Sequence, residues 1–131
     1  MLGDVIELSI VVKDLEAAVK QYETLFDLKV HKKDESKEYG FKNAIMPLGK
    51  GHIELLEPTD SSKAIGRFLT THGEGVYMVG FESEDIPGNV KKLQERAAKV
   101  AQPSPDALVA WVHPKDTHGV FVELRKPEQY S

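Results

Sequence analysis

Cysteine is absent from the 131 residues, which removes disulfides, thiolate metal ligands and a cysteine nucleophile from consideration. No apolar run approaches the roughly 18–20 residues that cross a bilayer, and the first residues lack the pattern of a secretory signal. The expected location is therefore the cytoplasm, with no membrane partner. A patterned charge excess is missing too. The formal net charge is −4, and Lys29, His31, Lys32 and Lys33 are answered at once by Asp34 and Glu35, so no basic stripe offers itself to nucleic acid. The charged cluster at 32–37 reads as a solvated loop. Hydrophobic and charged fractions of 40% and 29% are ordinary for a globular protein, and the length suits a single domain over 1–131.

What the chain does contain is a stretch used twice. Gly51 to Pro58 reads GHIELLEP, with a charged Glu54 inside an apolar run, and the tail Val122-Glu123-Leu124-Arg125-Lys126-Pro127 repeats it in part. Glu54 and Glu123 lie 69 residues apart, as do Pro58 and Pro127. A strand that carries a carboxylate on one face and stops at proline therefore occurs in each half.

The rest of the chain falls into the same two halves. Val5–Val12 is rich in β-branched residues and reads as a strand. Asp14 offers an N-cap, and Leu15, Val19, Tyr22 and Phe26 form one apolar helical stripe. Strands follow near 28–32, over 40–46 and over 51–57, with Pro47-Leu48-Gly49 as a turn. Residues 59–75 form a connector in which Asp60-Ser61-Ser62 resembles a helix start, Ile65, Phe68 and Leu69 give an apolar face, and Gly73 ends it. The pattern then restarts: a strand over 76–81, a helix with Ile86, Val90, Leu93 and Ala97 on one stripe, and strands near 99–101, 108–113 and 120–126. Asp14 and Asp85, Leu15 and Ile86, Val19 and Val90, and Lys20 and Lys91 are each 71 residues apart. Such a repeat fixes two βαβββ modules, 5–58 and 76–127, in an α+β fold; if they pair about a pseudo-twofold, the expected arrangement is an open barrel, the one that the resemblance given below implies.

Each helix must cover one face of its sheet. The apolar sides (Leu8, Ile10, Val12; Ile53, Leu55; Tyr77, Val79, Phe81; Val120, Val122, Leu124) belong under the helices. Strand parity then sends Glu7, His52, Glu54, Met78, Phe121, Glu123 and Arg125 to the opposite face. If the modules face each other, three carboxylates converge in one cleft. The plain alternatives are that Glu54 and Glu123 form ordinary ion pairs with Lys42 or Arg125, that Glu7 is a near-terminal exposed residue, and that Trp111 is core or dimer interface.

The segments VVKDLEAAVKQYETLFDLKV, IMPLGKGHIELLEP, IGRFLTTHGEG and HPKDTHGVFVEL together resemble the vicinal oxygen chelate superfamily (glyoxalase, bleomycin-resistance and extradiol dioxygenase proteins), and within it the methylmalonyl-CoA epimerase branch. The resemblance covers essentially the whole chain. It implies a homodimer, a small-molecule substrate such as an acyl-CoA, and a divalent metal with one ligand from each of four strands. Those ligand positions fall on Glu7, Glu54, Met78 and Glu123, so both of the branch's histidines are replaced. Imidazole would have suited Zn, Co or Ni, whereas carboxylates suit Mg, Mn or Ca. His52 shares Glu54's face and offers a substitute nitrogen, which makes Glu7, Glu54, Glu123 and His52 the candidate metal set. Glu38 falls at the branch's catalytic glutamate, so Glu38 and Glu123 are the expected acid–base pair. Met78, His113, Lys115 and Arg125 are the expected substrate contacts. Two alternatives stay open: a metal-free binding protein of the bleomycin-resistance type that sequesters a small hydrophobic or cationic ligand, a cation being drawn by the acidic cleft, and another lyase or isomerase of the superfamily, such as a glyoxalase-like enzyme.

Overall fold

The β-branched opening run forms β1 (Val5–Val11), and Asp14 caps α1 (Leu15–Phe26), its carboxylate accepting from the Ala17 N–H at 3.1 Å. The computed structural model describes residues 1–127, so the last four residues of the expected 1–131 span lie outside the described residues. The first half continues with β2 (Lys32–Ser36), β3 (Phe41–Leu48) and β4 (Gly51–Pro58). After α2 (Ala64–His72) the order repeats as β5 (Gly75–Glu82), α3 (Ile86–Glu95), β6 (Val100–Ala101), β7 (Val109–Val112) and β8 (Phe121–Arg125), with a 3-10 turn at Pro114–Asp116. Asp85 caps α3 as Asp14 caps α1, accepting from the Gly88 N–H at 3.0 Å.

All eight strands form one sheet in the order β2-β3-β4-β1-β5-β8-β7-β6. The two halves meet at its centre, where β1 and β5 pair antiparallel, and within the halves β1–β4 and β5–β8 pair parallel. The sheet does not close on itself, since β2 and β6 end the row. The fold is therefore α+β, an open barrel. α1 buries Leu15 and Val19 against Val12, Ala44, Met46 and Leu55, while α3 buries Ile86 and Val90 against Ala110 and Leu124. α2 lies on the other side of the sheet, where Ile65 meets Val11 and Leu56.

Several sequence expectations shift. The strand expected near 28–32 and the loop at 32–37 exchange roles: the charged residues form β2, while Leu28 and Val30 pack on the core as irregular chain. An edge strand tolerates charge on its solvated side, and Lys32 and Asp34, two residues apart on one face, pair there at 3.0 Å. Pro47 lies inside β3 rather than in a turn; β2 reaches only as far as Ile45, so Pro47 has no neighbour on that side that needs its missing N–H. α2 begins at Ala64, after Asp60 closes a local turn by accepting from Ser62 N–H and Oγ. Two stripe residues leave the core. Phe26 is 60% exposed at the end of α1, and Ala97 lies past α3 with φ 65°. Tyr77 departs from the helix-covered face: β5 is irregular opposite Ser9 and Ile10, and Tyr77 packs edge-on against Phe68 and Phe121, at 5.2 and 5.4 Å.

Candidate active site

β1, β4, β5 and β8 are the four central strands, and the parity argument holds for their charged residues. β1 supplies Glu7 and Ser9; β4 supplies His52 and Glu54; β8 supplies Glu123 and Arg125. The registers place Glu7 beside His52 on one side and Gly80 on the other, with Gly80 in turn beside Glu123. Gly80 is what lets them converge: a Cβ there would stand 2.7 Å from the Glu7 Cβ and 3.3 Å from the Glu123 Oε2.

Glu7 is not the exposed terminal residue of the plain alternative; it is 2% exposed and sits at the centre of the cluster. Its Oε2 accepts from the Arg125 guanidinium and from His52 Nε2, the latter at 2.8 Å, and its Oε1 accepts from the Ser9 hydroxyl at 2.9 Å. Glu123 Oε1 accepts from the Trp111 indole N–H at 2.9 Å, and its Oε2 meets Arg125 at 3.1 Å. Glu54 Oε1 lies 3.1 Å from Ser9 Oγ, and its Oε2 accepts from the Asn43 amide at 2.6 Å. The ion pair expected between Glu123 and Arg125 is present, whereas Lys42 pairs with Glu57 rather than Glu54.

These partners separate the three acids. Burial pushes the Glu7 carboxyl upward, but the His52 hydrogen bond and the Arg125 charge win and hold it at about 2. Burial raises Glu123 to about 8, helped by the Glu7 charge and only partly opposed by Arg125 and Trp111. Burial and the Glu7 charge also raise Glu54. One anion, Glu7, thus faces one permanent cation, while Glu123 keeps its proton at mildly acidic pH and Glu54 is shifted in the same direction. Ser9 has a single proton to give; donated to Glu7, it leaves its oxygen free to accept from a protonated Glu54. A hydrogen-bonded path then runs from Glu54 through Ser9 to Glu7, and the Arg125 guanidinium bridges Glu7 to Glu123.

As arranged, the candidate metal set does not fit a divalent ion. Each of the six oxygens of Glu7, Glu54 and Glu123 already meets a donor or hydroxyl of the protein. His52 Nε2 donates to Glu7 and so offers no lone pair at that atom. Met78 is buried opposite Ser9, and a thioether is a poor ligand for hard cations. Among the described residues, no group of three or more His, Asp or Glu side chains is placed to hold a metal ion.

A cavity of about 460 Å³ opens beside this cluster. Phe68, Tyr77, Trp111 and Phe121 give it aromatic walls, and Arg67, His72, Lys99 and His113 contribute its polar and cationic lining. Trp111 belongs to both, lining the cavity with its ring and holding Glu123 with its N–H. Of the expected substrate contacts, His113 lines the cavity, and its Nδ1 also accepts from the Lys115 N–H at 3.0 Å. Lys115 is exposed on the 3-10 turn and is not part of the lining; Arg125 is inside the cluster. Glu38 is exposed in the β2–β3 turn, and its neighbour Tyr39 packs edge-on against Trp111 with ring centroids 6.0 Å apart.

Sequence reasoning missed Asn43, Gly80, Trp111 and the cavity residues of α2 as parts of the site. Ser9 was within reach, since it shares Glu7's face by parity. Trp111 needed the register that sets it opposite Glu123, which the sequence does not print.

A family model described as the Glyoxalase/Bleomycin resistance protein/Dioxygenase superfamily matches residues 7–111. The chain is 32% identical to the ethylmalonyl-CoA/methylmalonyl-CoA epimerase of Cereibacter sphaeroides, covering 96% of this chain and 99% of that protein. It is 29% identical to the human mitochondrial methylmalonyl-CoA epimerase, covering 95% and 74%. A variant of the Streptomyces coelicolor methylmalonyl-CoA epimerase in complex with 2-nitronate-propionyl-CoA superposes with a TM-score of 0.89 at 26% identity, covering 98% of this chain and 100% of that one. The chain belongs to the glyoxalase/bleomycin resistance protein/dioxygenase superfamily and resembles its methylmalonyl-CoA epimerases.

Proposed function

We propose that this protein is an isomerase that moves a proton at the carbon between the thioester and the carboxylate of a 2-carboxyacyl-CoA, of the methylmalonyl-CoA or ethylmalonyl-CoA class. The observation that carries this reading is the buried cluster formed by carboxylates of both halves beside an aromatic cavity with a cationic lining. The relatives named above support the substrate class. The acyl end of the substrate enters between Trp111 and Phe121, and the phosphates of CoA lie toward Arg67, Lys99 and His113, with Lys115 as an outer contact. The C2–H is acidified by the thioester carbonyl. One carboxylate removes the proton, the resulting enolate rests near a cationic donor, and a carboxyl on the opposite face returns a proton. Glu123 takes one of these roles and Glu38, carried by the turn that Tyr39 ties to Trp111, takes the other. Glu54 and Asn43 hold the substrate's polar end. A cytoplasmic homodimer belongs to the same reading; the exposed Leu25 and Phe26 at the end of α1 support the dimer, which light scattering tests.

The alternative of a sequestering protein for cationic ligands has less support, because Arg125 already neutralises the cluster from within and the cavity lining adds positive charge. Incubation with (2R)- or (2S)-methylmalonyl-CoA in D₂O decides. The expected result is inversion with deuterium entering C2, followed by NMR. Glu123→Gln is expected to lower the rate by roughly 10²–10⁴, while Glu38→Gln stops inversion but leaves exchange in one of the two diastereomers. A well-folded protein that binds these thioesters and exchanges no deuterium would end the proposal.

A further inference from the structure

β8 delivers a carboxylate and a cation side by side, because Glu123 and Arg125 are two residues apart and share a face. The Arg125 side chain is 13% exposed and bridges Glu7 of the first half to Glu123 of the second. Its stem passes Gly80, where a Cβ would stand 3.5 Å from the Arg125 Cδ, so the same glycine that admits the carboxylates admits the guanidinium. A buried guanidinium is strongly disfavoured unless paired, and here two carboxylates pair it. The two halves together build a cation site and fill it with a side chain of the chain itself.

We infer that Arg125 is the resident cation of this site, standing where the resemblance implies a divalent metal, and that the protein works without one. Glu7 is then the fixed counter-ion of Arg125, which explains why a carboxylate occupies a position where an imidazole ligand is expected. Met78, the other replaced position, is packing rather than a donor. Within the proposed reaction, which this deepens, the guanidinium supplies the fixed positive charge of the carboxylate cluster. The inference about the ion does not need that reaction to be right, because ion content is measured without substrate.

The test is the metal content of the purified wild-type chain by mass spectrometry, followed by calorimetric titration with Mn²⁺, Co²⁺ and Zn²⁺. Arg125→Met, Arg125→Lys and Glu123→Gln are measured alongside. The wild type and Arg125→Lys are expected to carry no stoichiometric ion. Arg125→Met, which frees oxygens of Glu7 and Glu123, is expected to bind at least about tenfold more tightly than wild type, with an ion-dependent rise in Tm. One ion per wild-type chain, lost in Glu123→Gln, would overturn the inference even if Arg125→Met did not fold. So would a folded Arg125→Met that gains no affinity.

Discussion

Trp111 shows how a single donor sets the behaviour of an acid. Its indole N–H gives Glu123 one of the two hydrogen bonds that favour the ionised form; the other comes from Arg125. Trp111→Phe keeps the ring in the cavity wall and removes only that donor. Glu123 is then expected to titrate above its present value of about 8, since burial and the Glu7 charge are opposed by Arg125 alone. The stability cost should be about 1 kcal/mol. Carboxyl ¹³C shifts of labelled glutamate, followed against pH, check this; a Glu123 titration unmoved by the substitution would mean that the indole does not stabilise the carboxylate. Residues that act through parity alone, Glu7, His52, Glu54, Glu123 and Arg125, were legible in the sequence. Trp111 and Asn43 were not, because their roles depend on which strand lies alongside which.

β5 is the element that makes the cluster possible, and it does so by a missing side chain. Gly80 sits between Glu7 of β1 and Glu123 of β8, and its conformation is ordinary, so the argument rests on space. Gly80→Ala would push a methyl to 2.7 Å from the Glu7 Cβ, which is fixed to the β1 backbone, and toward the Glu123 Oε2 and Arg125 Cδ on the β8 side. The expected cost is about 1–3 kcal/mol, read as a lower urea midpoint with an unchanged slope. A variant as stable as the wild type would show that the three strands can separate without penalty. The helices were legible because a cap and an apolar stripe recur 71 residues apart, and both Asp14 and Asp85 cap as expected. β2 was not. Its residues are chosen by an exposed edge, where charge and strand pairing coexist and hydropathy gives no signal.

At the scale of the whole molecule, the repeat made two modules legible but not their joint. The β1–β5 pairing carries irregularities near Ile6 and Tyr77, and strand parity counted from sequence cannot anticipate them. Glu7 and Glu54 come from one half, and Glu123 and Arg125 from the other, so the protonation of the site is tied to the docking of the halves. Ordinary carboxyl values near 4.5 stand for the unfolded chain. Below that value the unfolded chain protonates Glu7 while the folded chain resists until about 2, so stability falls as pH drops through this window. Between 4.5 and about 8 the folded chain keeps the Glu123 proton that the unfolded chain has released, so stability falls as pH rises and levels off above about 8. Glu54, also raised, adds to this upper limb. The cluster therefore favours a stability maximum at mildly acidic pH rather than at neutrality. Urea midpoints measured from about pH 3.5 to about pH 8.5 test this. Glu123→Gln, an amide whose oxygen still accepts from Trp111, should make the upper limb shallower, with the share of Glu54 remaining, and leave the lower one. Equal slopes in both proteins between 4.5 and 8 would show that Glu123 carries no excess proton in the folded state.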